Sequence, residues 1–162
     1  DERLAWCHAE LVRSGSPFVL ALIDVDHFKR LNDNLGRATG DRALQRIAST
    51  LLDGVRATDL VARLGGDEFA VLMAGVDRTG MRRPFDAMLG ACNDIFMAEH
   101  WPISLSVGVI AFESPVARPR DACNLTDHLM YDVKAAGRND VRFAVYRDQR
   151  LDVERPPERA AA

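Results

Sequence analysis

The chain has 162 residues, 48% of them apolar and 28% charged, with a net charge of −3. That is the composition of one ordinary globular domain, long enough to bury a continuous core. It offers no electrostatic case for DNA or an anionic membrane as partner, no apolar run long enough to span a bilayer, and no export signal. Cys7, Cys92 and Cys123 are far apart and make neither a CxxC pair nor an even set, so a reduced, cytoplasmic setting is the simple reading.

A helix is predicted over about residues 2–14, ended by the turn signal Ser14-Gly15-Ser16-Pro17. Residues 18–25 read as a strand that is apolar on both faces, as expected beneath helices, and it runs into Asp24-Val25-Asp26. A short helix follows from His27 to Asn34, then a long one over 41–55 with Leu44, Ile47, Ala48, Leu51, Leu52 and Val55 at three- and four-residue spacing. A hairpin occupies about 59–74, with Gly65-Gly66 as its tight turn and Asp67-Glu68 directly after it. Pro84 is expected in the first turn of the next helix, whose stripe is Phe85, Met88, Leu89, Cys92, Ile95 and Phe96. Ile103 to Ile110 alternates with period two and predicts a strand. After a polar loop at 113–120, a helix over about 123–136 stops at Gly137, and Val141 to Tyr146 supplies a last strand. Residues 1–146 therefore form one domain, and 147–162 read as a polar tail. The order of elements predicts an α+β fold, one sheet containing an antiparallel hairpin and flanked by helices. The opening at Asp1, with no initiator Met, and the Pro-containing end suggest a domain cut from a longer polypeptide.

The acidic clusters carry the main functional clue. Asp24 and Asp26 end the most apolar strand, while Asp67 and Glu68 lie at a hairpin tip. Each has a plain reading: a cap on the following helix for the first pair, a solvated turn for the second. Together with a strand-end carbonyl, Asp24 and Asp67 suit Mg²⁺, which prefers one or two carboxylates completed by water and substrate phosphates. Lys134 and Arg138 flank the end of the last helix, where cations favour the dipole or can be aimed jointly at phosphates. Asp41 falls on the inward stripe of the long helix. It reads either as a first-turn dipole partner or as an acceptor for the N1–H and amine of guanine, a donor pair that adenine lacks, with Asn32 covering the adjacent ring edge. Arg56 and Asp59, taken alone, are a surface ion pair. His8, His27, His100 and His128 show no metal-ligand spacing, and no nucleophile–His–acid pattern assembles.

Several of these stretches, in this order, resemble the GGDEF domain, the diguanylate cyclase of bacterial cyclic di-GMP signalling. They are Asp24-Val25-Asp26-His27-Phe28-Lys29-Arg30-Leu31-Asn32-Asp33, Gly36 with Gly40-Asp41, and Leu60 to Phe69 with its Gly65-Gly66-Asp67-Glu68-Phe69. Leu105-Ser106-Val107-Gly108-Val109 and Tyr131 to Asn139 complete the set, which covers roughly residues 4–146. The resemblance implies a palm-like fold with a mainly antiparallel sheet. It implies that Asp24, the Val25 carbonyl, Asp67 and Glu68 serve Mg²⁺ or Mn²⁺, with Glu68 also helping to activate a 3′-hydroxyl. Asn32 and Asp41 would read guanine, and Lys29, Lys134 and Arg138 would hold the triphosphate. Arg56 and Asp59 match the RxxD of the family's inhibitory site, where cyclic di-GMP binds away from catalysis.

The activity so implied is condensation of two GTP into cyclic di-GMP by a homodimer, under an upstream sensory or regulatory module and with no nucleic acid involved. The alternatives are an inactive domain sensing GTP or cyclic di-GMP, a cyclase of relaxed base preference, and a non-enzymatic interaction domain. Two departures stand out. The family's Asp-x-Leu-Thr segment ahead of the first helix is missing, and Arg37 replaces a common His.

Overall fold

A fully buried strand is the axis of the molecule. The structure, a computed structural model, describes residues 2–154. Its elements are α1 (Glu2–Ser14), β1 (Phe18–Asp26), α2 (Phe28–Leu35), α3 (Arg37–Asp53), β2 (Leu60–Gly65) and β3 (Glu68–Ala74). After these come α4 (Arg78–Ala98), β4 (Ser104–Phe112), α5 (Pro119–Ala135), β5 (Asp140–Arg147) and β6 (Arg150–Val153). The strands lie in the order β2-β3-β1-β4-β5-β6. Every neighbouring pair is antiparallel except β4 and β5, which run parallel and are joined by α5 as the crossover. The expected α+β architecture, a mainly antiparallel sheet flanked by helices, is the one observed.

All nine residues of β1 are buried, and their alternation divides the core. Val19, Ala21, Ile23 and Val25 pack with Leu31 of α2, Leu44 and Ile47 of α3, and Phe85 and Met88 of α4. Phe18 and Leu20 pack on the opposite face with Leu4 and Leu11 of α1 and Leu129 of α5. Gly108 explains how close α5 can come. A Cβ there would lie 2.6 Å from the Met130 nitrogen and 2.8 Å from the Thr126 carbonyl oxygen, so only glycine lets the helix rest directly on β4.

Several boundaries differ from expectation for identifiable reasons. Helix α3 begins at Arg37 rather than 41, directly after Gly36, whose φ of 84° suits glycine alone. Helix α4 begins at Arg78, so Pro84 lies inside it instead of in its first turn. Asp77 starts the helix by accepting from the Thr79 and Gly80 amides, and fully buried Met81 extends the apolar stripe one turn earlier. Helix α5 likewise starts at Pro119, with Asp121 accepting from the Arg118 amide. In the hairpin Gly65 pairs with Glu68, so the two-residue turn is Gly66-Asp67, shifted one place by an irregularity between Arg63 and Gly65. Arg150–Val153, in the segment expected as a polar tail, forms β6 through a turn at Asp148-Gln149, both left-handed. The remainder of that expected tail, 155–162, lies outside the described residues. No helix among the described residues is long and apolar enough to cross a membrane.

Candidate functional site

Because side chains alternate along a strand, Asp24 and Asp26 share the face that begins with Phe18 and Leu20. Antiparallel register sets Glu68 of β3 and Ser106 of β4 opposite Asp24, and Ser104 opposite Asp26. The Val25 amide donates to the Asp67 carbonyl at 3.1 Å, tying the hairpin turn to the end of β1. From the last turn of α5, the Lys134 ammonium reaches Asp24 Oδ2 at 2.7 Å. Burial lifts the Asp24 carboxyl above its ordinary value. Lys134 opposes that rise, while the charges of Asp67 and Asp26 add to it.

Asp26 is more enclosed. Its Oδ1 accepts from Ser106 Oγ at 2.7 Å, and its Oδ2 from Ser104 Oγ at 2.7 Å and the Asn139 amide at 3.2 Å. Arg138 Nε stands 3.7 Å from Oδ1. Neither aspartate caps α2, whose N-cap is His27 with no side-chain bond. Reading Asp26 as a cap missed its role here. The signal that could have found it was the pairing of two acids at i, i+2 with two serines at i, i+2 of another strand.

A groove lies on the other face of the sheet, between α3 and the β2-β3 hairpin. Gly40 lets α3 approach α2, since a Cβ there would meet Asn32 Oδ1 at 1.8 Å. Half-buried Asn32 is thereby set beside the first turns of α3. Asp41 is exposed, a correction to its expected place on the inward stripe. With α3 starting at Arg37, the buried positions are Gly40, Ala43, Leu44, Ile47 and Leu51, and Asp41 falls beside them. It lines a groove of about 320 Å³ floored by Leu44, Ala48, Val61 and Phe69. Arg63, also missed by sequence reasoning, borders this groove and donates to the Gly66 carbonyl through Nε at 2.9 Å, bracing the turn. Lys29, in the first turn of α2, is exposed.

Arg56 and Asp59 are not brought to this cluster. They precede β2, about 20 Å along the strand from Asp67. No ion pair joins their side chains among the described residues. Instead Asp59 Oδ2 accepts the Arg56 amide at 3.0 Å and the Asp59 amide donates to the Arg56 carbonyl at 2.9 Å. The remaining Asp59 oxygen, Oδ1, is buried without a hydrogen-bond partner. Both residues line a cavity of about 260 Å³ with Pro17, Gly75 and Gly80, and the Arg56 side chain is exposed.

No group of three or more His, Cys, Asp or Glu side chains among the described residues converges to hold a metal. The donors nevertheless suit a hard divalent cation that shares its shell with substrate. They are all oxygens, Asp67 acts electrostatically on Asp24, and the Lys134 ammonium already rests a positive charge on Asp24.

Comparison with known proteins identifies the family of the chain. Residues 1–140 match the pattern described as "Diguanylate cyclase, GGDEF domain". The chain is 36% identical over 147 residues to diguanylate cyclase DgcP of Pseudomonas aeruginosa, covering 89% of this chain but 22% of that protein. Among solved structures, diguanylate cyclase SiaD of Pseudomonas aeruginosa, in complex with its activator SiaC, superposes with a TM-score of 0.78 at 28% identity, over 88% of this chain and 56% of that one. A microbial GGDEF domain studied with bis-(3′,5′)-cyclic di-GMP gives 0.74 at 26% identity, over 88% and 86%. A match running from α1 to the start of β5 reaches far beyond one five-residue motif: the chain belongs to the GGDEF domain family of diguanylate cyclases.

Proposed function

We propose that this domain binds one GTP and, facing a second copy, condenses two GTP into cyclic di-GMP with release of two pyrophosphates. The observation that carries the reading is the meeting, at one strand end, of Asp24, the Gly66-Asp67 turn, Lys134 and Arg138, with an apolar groove rimmed by Asp41 on the other face of the sheet. The groove takes guanine, with Asp41 accepting from its N1–H and amine and Asn32 covering the adjacent ring edge. Lys29, Lys134 and Arg138 hold the triphosphate, the guanidinium as a planar fork and the ammonium groups as point charges. Asp24, Asp67, the Val25 carbonyl and Glu68 would hold Mg²⁺ or Mn²⁺, which when bound neutralises phosphate charge and lowers the cost of a 3′-alkoxide.

Each 3′-oxygen attacks the α-phosphorus of the opposite GTP. The bond from that phosphorus to the bridging oxygen breaks, pyrophosphate leaves, and the hydroxyl proton passes to Glu68 or water. Lys134 moves from Asp24 to the phosphates as the nucleotide enters. Because each domain supplies one half of the reaction, a homodimer is the active form. An upstream module in a longer protein, or an activating partner of the kind SiaD has, would set how the halves face.

Arg56 and Asp59 bind cyclic di-GMP as feedback inhibitor, a reading supported by the cavity they line and by a similar domain's interaction with that dinucleotide. Two copies fused to a parallel coiled coil, given GTP and Mg²⁺, should form cyclic di-GMP detectable by chromatography. Nucleotide binding without any cyclic product would instead support the sensor reading.

A further inference from the structure

We propose that Asp26 is a positioning residue: it holds the bend at Arg138-Asn139 and thereby aims the arginine at the nucleotide phosphates. The inference rests on the phosphate role given to Arg138 above. Gly137, Arg138 and Asn139 have consecutive positive φ angles of 120°, 66° and 49°. For Arg138 this conformation is unfavourable and persists only when neighbours impose it, while Asn139 is of a type that tolerates it better. The bend is held from both ends. The Arg138 amide donates back to the Val133 carbonyl at 3.0 Å, the closing bond of a Schellman turn on α5. The Asn139 amide donates forward to Asp26 Oδ2 at 3.2 Å.

Asp26 can act as an anchor because it is itself immobilised. Its side chain is fully buried, with Ser104 and Ser106 on β4 donating to separate oxygens. Arg138 Nε, at 3.7 Å, is held nearby without a direct hydrogen bond, and its side chain remains 48% exposed. The guanidinium is thus oriented but still open to a ligand. Asp26 touches the substrate only through it.

The test uses 3′-deoxy-GTP with Mg²⁺, which can bind but cannot react, and calorimetry on the wild type, Asp26→Asn, Arg138→Ala and the double variant. Asp26→Asn should weaken binding about tenfold or more, the worth of a charged hydrogen bond. In the Arg138→Ala background it should add nothing. Ser104→Ala with Ser106→Ala, which keeps the carboxylate, should weaken binding less and in the same direction. Amide exchange should quicken at Asn139 and stay slow along β1. Losses that multiply in the double variant, or an Asn139 amide indifferent to Asp26→Asn, would overturn the proposal. If the wild type bound no 3′-deoxy-GTP, the cyclase reading would fail, and exchange at Asn139 would still decide whether Asp26 holds the bend.

Discussion

The two ends of one strand face have opposite characters. At the start of β1, Phe18 stacks on Phe112 with ring centroids 4.9 Å apart, and Tyr146 tilts against Phe112 at 5.8 Å. At the other end of the same face, Asp24 and Asp26 are buried with cations and hydroxyls as neighbours. The aromatic end stabilises by removing apolar surface from water. The acidic end opposes folding by desolvating charge, offset by Lys134 and two serines. Stability and the proposed chemistry are thus separated along about 20 Å of sheet.

The sharpest way to break this contrast is at its aromatic end. Phe18→Ala should cost about 3–5 kcal/mol in urea denaturation, because its surroundings are packed on every side. A loss below about 1 kcal/mol would show that the aromatic stack is not where the fold is held. The converse is Asp67→Asn. It should lower cyclic di-GMP formation on the order of a hundredfold or more while leaving the melting temperature nearly unchanged. Equal loss of turnover and stability would merge the two regions into one.

A third contrast concerns buried titratable groups that lack a counter-ion. Burial lifts the Cys92 thiol from 9.0 to about 11, with a Thr50 hydrogen bond opposing. Between those values the folded chain keeps a proton that the unfolded chain has lost, so stability falls as pH rises through that window. The fall is at most roughly 3 kcal/mol and is complete above the folded value. Cys92→Ala should flatten this part of the stability curve relative to wild type. Parallel curves for the two proteins would refute the burial argument.

Smaller again, Lys134→Met should destabilise by about 1–2 kcal/mol, since it strands the Asp24 charge in a partly shielded setting. Adding Asp24→Asn should recover most of that loss, and additive losses would mean the pair does not interact. Smallest in folding terms is Arg56→Ala, an exposed residue beside the cavity it shares with Pro17. It should relieve inhibition by micromolar cyclic di-GMP at an unchanged initial rate. Wild type and variant inhibited alike would exclude Arg56 from the feedback site.

Most of the fold was legible because its strongest signals are local. The Phe18–Asp26 run could only be a buried strand, and the period-two pattern around Val107 announced β4. The ends of α3, α4 and α5 were less legible. Caps such as Asp77 and the buried Met81 extend a helix beyond its obvious stripe, and Pro84 is tolerated where packing outweighs one lost hydrogen bond. Strand β6 escaped because Asp148-Gln149 lacks the glycine that usually marks a two-residue turn. The acids and cations of the candidate site were visible as residue types, but their partners were not. Nothing local pairs Asp26 with serines about eighty positions away, or turns Asp41 outward.

Gly108 has no functional group, yet it works as the stop that sets the height of α5 above the sheet. Its obstacles would be main-chain atoms of Thr126, Leu129 and Met130, which cannot swing aside as a side-chain tip can. A methyl group there would lift the whole helix by on the order of 1 Å and carry its far end with it. Lys134 rides on that end, two turns from Thr126, and Arg138 follows in the bend just beyond it. Displacement on this scale can cost about a hundredfold in rate while leaving a protein folded. A position buried in the middle of the sheet therefore calibrates the reach of two cations, and a lesion at Gly108 would be felt as misalignment before it was felt as unfolding.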